Sequence, residues 1–150
     1  MTGSRLFLMV GGFISAVISF LHVILAIKPE LYGVIAPSQA SALSQMAVQG
    51  SSITTIFSVA IALVFAVWTV YALSGAGILR QLPLLRPALI TIGAIYFLRS
   101  LFLPTEIKMV LTEEAPVRIV LYSTISLVAG MFYLIGGFSR RSPMRSSKRV

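Results

Sequence analysis

Arg99 is the one strong charge inside any apolar segment of this 150-residue chain. A guanidinium held at that depth must find a partner or reach water with its tip. Few other side chains here can do chemistry. There is one histidine, His22, and four acids, Glu30, Glu106, Glu113 and Glu114. Cysteine is absent, which removes disulfides, thiolate metal sites, iron–sulfur clusters and cysteine nucleophiles together. A single histidine cannot supply a bis-histidine haem or a tris-histidine zinc site from one chain, so no cofactor and no metal are expected. What remains is hydrogen bonding or proton exchange at His22 and ion pairing or anion recognition at Arg99. Glu106, just beyond the segment that carries Arg99, is its expected partner. Glu30 comes second, because it follows the segment that carries His22.

The elements that position these groups follow from composition. The chain is 57% hydrophobic and only 11% charged, with mean hydropathy +0.97, whereas soluble chains are about 25% charged. The expected fold is an all-α membrane protein: four transmembrane helices in a bundle, over about residues 6–27, 53–73, 87–103 and 119–138, within one domain, 1–138. Leu6 to Ile27 carries no charge and is long enough to cross a hydrocarbon core of about 30 Å. A signal peptide would have a shorter apolar region ending in a small-residue cleavage site, and Ala26-Ile27-Lys28-Pro29 offers none. Gly11, Gly12, Ser15, Ala16 and Ser19 place small side chains near one face of the first helix, as helix packing requires. The second span ends with Trp68 and Tyr71, then meets Ser74-Gly75-Ala76-Gly77. That stretch lacks the third glycine of a dinucleotide fingerprint and reads as a tight turn. Pro87 suits the first turn of the third helix, and Pro104 is expected to stop it.

Lys28 to Ser52 is long enough to hold structure of its own. Ser38 could cap a short helix with Leu43, Met46 and Ala47 on one side and Ser41, Ser44, Gln45 and Gln49 on the other, ending at Gly50. The expectation is a short amphipathic helix in the outer first connection, lying at the membrane surface or over the bundle.

Charge sets the orientation. Arg5, Arg80, Arg86 and the tail residues Arg140, Arg141, Arg145, Lys148 and Arg149 lie at one end of a four-span topology, against Lys28, Lys108 and Arg118 at the other. This asymmetry puts both termini in the cytoplasm, with residues 139–150 as a basic cytoplasmic tail. The net charge of +8 therefore points to membrane lipids rather than nucleic acid. It also puts His22, Thr54, Thr55, Ser58, Tyr96, Arg99, Ser100, Tyr122, Ser123 and Thr124 in the outer part of their helices. A polar pocket open to the outer face follows, closed below by apolar packing, with His22, Tyr96, Arg99, Glu106 and Tyr122 as candidate ligand-binding residues. No ionisable residue sits in the inner half, so no continuous pore is expected.

The glycine-rich first helix with its late histidine (Gly11, Gly12, His22) and the stretches Trp68 to Gly77, Leu82 to Leu89 and Tyr96 to Arg99 together resemble the small four-helix bacterial inner-membrane proteins loosely grouped as DoxX-like. The resemblance implies the fold but no reaction. The leading functional expectation is a non-enzymatic accessory or assembly subunit, packed against a membrane-protein partner or a second copy of itself. The alternative is a binder or carrier of a lipid, quinone or similar amphiphile, with Arg99 and His22 addressing its head. An intramembrane enzyme with His22 as base is the weakest, because no activated nucleophile, metal cluster or phosphate loop accompanies it. A small multidrug-type exporter is disfavoured by the absence of an acid within any span.

Overall fold

The computed structural model describes residues 3–32 and 52–139. Its elements are α1 (Gly3–Ile27), a 3₁₀ turn (Pro29–Leu31), α2 (Ser52–Ala76), α3 (Leu85–Ser100), α4 (Leu103–Leu111) and α5 (Arg118–Phe138), with no strand among the described residues. The amphipathic helix expected around Leu43 to Ala47 and the basic tail from Arg140 onward lie outside the described residues.

Burial is the reverse of that in a water-soluble protein. Ser15, Thr54, Ser58, Ser74 and Ser123 are fully buried, while Phe13 is 69% exposed, Phe20 65% and Leu63 63%. Large apolar side chains on the outside and hydroxyls on the inside are stable only where the surroundings are hydrocarbon. Four helical stretches, Gly3–Ile27, Ser52–Ala76, Leu85–Leu111 and Arg118–Phe138, are long and apolar enough to cross a membrane. The chain is a multi-pass membrane protein.

The helices pack as two antiparallel pairs. In the first, α1 lies along α2, with the Ser19 hydroxyl donating to the Ala62 carbonyl (2.8 Å) and the Tyr32 and Ser58 hydroxyls bonded to each other. In the second, α3 lies along α5 so closely that a Cβ on Gly130 would stand 2.9 Å from the Phe97 nitrogen. Glycines also join the pairs to each other, at the end where α1 starts and α5 finishes. A Cβ on Gly75 would stand 2.8 Å from Leu8 and 3.0 Å from Leu89, one on Gly11 would stand 3.1 Å from Tyr133, and one on Gly136 would overlap Leu8. Leu8, Leu89, Ala72 and Ala76 fill the core there. The opposite half of every span, residues 16–27, 52–64, 94–100 and 118–129, contains no glycine. Helices that touch backbone to backbone at one end and carry only larger side chains at the other leave space between them at that other end.

Two expectations about turns are corrected. Ser74, Gly75 and Ala76 belong to the last turn of α2, and the turn begins only at Gly77, whose φ of +79° lets the Ile78 amide reach back to the Leu73 carbonyl (3.0 Å). Ser74 Oγ donates to the Arg80 carbonyl (2.9 Å) and accepts from the Leu82 amide (3.0 Å), which fastens the link to α3. Pro104 does not end the helical run. After α3 stops at Ser100, two residues turn and α4 restarts with Pro104 in its first turn, where an imino nitrogen leaves no hydrogen bond unmade.

Candidate functional site

Between the two helix pairs, in the glycine-free half, lies a cavity of about 770 Å³. Every span contributes to its wall: Ile18 and Leu21 from α1, Ile61 and Phe65 from α2, Ile95 from α3, Ile125 from α5. That lining is aliphatic and aromatic, and the volume falls within the range of about 300–1,000 Å³ typical of small-molecule sites. The polar side chains enter at particular places. Of the candidate residues, His22, Tyr96, Arg99 and Tyr122 all line this one cavity. Glu106 does not line it and acts on Arg99 instead.

Arg99 sits in the last turn of α3. Its Nη1 donates to Glu106 Oε1 at 3.0 Å and to Ser123 Oγ at 2.7 Å. The restart of the helix at Leu103 makes the first bond possible, because it returns Glu106, seven positions on, toward the face of Arg99, and helical side chains lean toward the N-terminus. The carboxylate is nearly enclosed, at 12% side-chain exposure against 41% for the arginine. Its Oε2 is buried with no hydrogen-bond partner among the described residues. Glu106, rather than Glu30, is thus the ion-pair partner. Glu30 lies in the 3₁₀ turn at the end of α1. Both Nη1 hydrogens are committed, and the Nε and Nη2 hydrogens have no partner among the described residues.

His22 Nδ1 lies 2.9 Å from the Ile18 carbonyl, one helical turn back. A carbonyl can only accept, so Nδ1 carries the hydrogen and Nε2 is what the ring has left to offer. The imidazole lies over Phe65, with ring centres 6.0 Å apart.

The floor differs from the purely apolar packing expected. Ser15 Oγ lies 2.9 Å from both the Tyr96 and the Tyr133 hydroxyls, and Tyr133 donates to the Trp68 carbonyl at 3.1 Å. Ser15 Oγ also donates to the Gly11 carbonyl (3.2 Å), so Tyr96 donates to Ser15 and the cluster of three buried hydroxyls ends on two backbone acceptors, the Gly11 and Trp68 carbonyls. The rings of Phe65, Trp68, Tyr96 and Tyr133 are in mutual contact, with successive centres 4.9, 5.1 and 5.8 Å apart. Sequence reasoning assigned Ser15 to helix packing and did not single out Tyr133. A signal was there, since hydroxyl-bearing residues in mid-span must be satisfied by one another.

Among the described residues no group of three or more His, Cys, Asp or Glu side chains could hold a metal ion. No family model matches the chain, and neither a curated protein nor a solved structure does.

Proposed function

We propose that this chain is a non-enzymatic binder or carrier of an amphiphile in the bacterial inner membrane. The observation that carries the reading is the cavity itself: a space of about 770 Å³ whose walls are apolar and whose polar groups are confined to Arg99, His22 and a few hydroxyls. An apolar chain would lie against Ile18, Ile61 and Ile125 while a polar head meets Arg99. The lysine and arginine distribution supports termini in the cytoplasm, with the cavity in the outer half of the membrane. The resemblance to DoxX-like proteins fits the same placement.

The accessory-subunit reading loses one of its supports. It drew on the small-residue face of the first helix as a surface for a partner. Within this chain Gly12 already meets Ala72, Gly11 meets Tyr133, and Ser15 bonds both tyrosines. That face is occupied.

A cavity-filling substitution tests the proposal. Ile125→Trp places an indole in the space between the pairs, where an unoccupied cavity would tolerate it or gain from it. The expected outcome is a folded protein that retains much less co-purifying amphiphile than the wild type, measured by extraction and mass analysis. An unchanged lipid complement in the folded variant would contradict cavity binding.

A further inference from the structure

The structure assigns the head of the bound amphiphile to the oxyanion class, a carboxylate in the simplest case, gripped by the Nε–Nη2 edge of Arg99. This assignment rests on the cavity-binding reading above and narrows it.

Three observations converge on that edge. First, the guanidinium is held by one corner only: Nη1 carries both polar contacts, to Glu106 and Ser123, and the Nε and Nη2 hydrogens have no partner among the described residues. Second, the side chain is 41% exposed and lines the cavity, so the uncommitted edge belongs to a group that a ligand can reach. Third, the anchoring groups come from two other elements, Glu106 from α4 and Ser123 from α5, so the fork is fixed before anything binds.

The Nε–H and the neighbouring Nη2–H of an arginine point side by side and match two oxygens of one oxyanion. An ester or alcohol head presents one good acceptor and leaves the second hydrogen unanswered, which is costly in a mostly apolar wall. Glu106 accepts from the far corner of the guanidinium and does not compete for this edge. Its negative charge offsets much of the guanidinium's, so the preference for an oxyanion rests on the paired geometry of the two remaining hydrogens rather than on net charge. His22 Nε2 lies on a residue of the same cavity wall and is a second polar atom that the head can meet.

The chain carries its own reporter. Trp68 is its single tryptophan, and it lines the cavity. Fluorescence of the full chain in micelles of an uncharged detergent is titrated with a fatty acid brominated at mid-chain and, separately, with its methyl ester. The two probes share one tail and quencher and differ in the head. At alkaline pH the acid is expected to quench Trp68 about tenfold more tightly than the ester. In the paired variant Arg99→Gln with Glu106→Gln, which removes both charges and leaves no unpaired carboxylate, the preference is expected to vanish while ester binding persists. Inorganic phosphate at millimolar concentration is expected not to displace the acid. Equal quenching by acid and ester, or a preference that survives in the paired variant, overturns the oxyanion assignment and leaves the cavity reading standing. Displacement by phosphate shows a site for small anions and overturns the amphiphile half. Quenching by neither probe overturns the cavity reading and this inference with it.

Discussion

Arg99 was legible from sequence because a lone charge inside an apolar stretch has few ways to be stable, and its nearest carboxylate beyond the helix is Glu106. The structure pairs them at 3.0 Å. Energetically the pair counts more through its absence than its presence. Removing the arginine strands a carboxylate that is only 12% exposed and already has one oxygen without a partner. Arg99→Leu and Glu106→Gln are therefore each expected to destabilise the protein, and the double substitution to be more stable than Arg99→Leu alone. The coupling should be on the order of 0.5–3 kcal/mol in thermal or denaturant unfolding from micelles. Strict additivity of the two changes would show that the 3.0 Å contact carries no energy. The hydroxyl cluster of Tyr96, Ser15 and Tyr133 was not legible. Serine among glycines in a membrane helix reads as a small packing residue, and only the tertiary arrangement brings Tyr96 and Tyr133, from two other helices, to within 2.9 Å of it.

The spans emerged from hydropathy with helix ends that moved by at most three residues, at Gly3, Ala76 and Ser100. Two features of the elements did not emerge. Pro104 reads as a terminator, yet a proline is equally at home in a first turn, and α4 restarts there. Its consequence is functional, because α4 is the element that delivers Glu106. The separation of the pairs at one end was available in principle, since every glycine within the spans lies in or near the half that holds the chain ends. Reading it required knowing which glycines face one another. Gly136 gives the sharpest test. A Cβ there would overlap Leu8, which is 1% exposed and has little room to retreat. Gly136→Ala should destabilise the protein by about 1–3 kcal/mol. Combining it with Leu8→Ala should cost less than the sum of the two changes, since each makes room for the other. Additive losses in unfolding measurements would mean that the two positions do not meet.

For the molecule as a whole, two helix pairs clamped by glycines at one end and parted by a cavity at the other form a container with an aromatic, hydrogen-bonded floor. The floor explains why the cavity ends at mid-depth: the rings of Trp68, Tyr96 and Tyr133 pack together there, and the two tyrosine hydroxyls are satisfied by Ser15 and the Trp68 carbonyl. Below it, Leu8, Leu89 and Ala72 close the core. Composition alone could place polar groups at one level, but it could not give the volume that their helices enclose. Binding of an amphiphile in that volume is the central claim. Native mass spectrometry of the protein released from its own membrane in a mild detergent tests it most directly. The expected spectrum is the chain, alone or as a homo-oligomer, carrying a defined mass excess of one small amphiphile per copy that Ile125→Trp removes. A mass excess matching a second polypeptide, with no small molecule retained, would contradict it and restore the accessory-subunit reading.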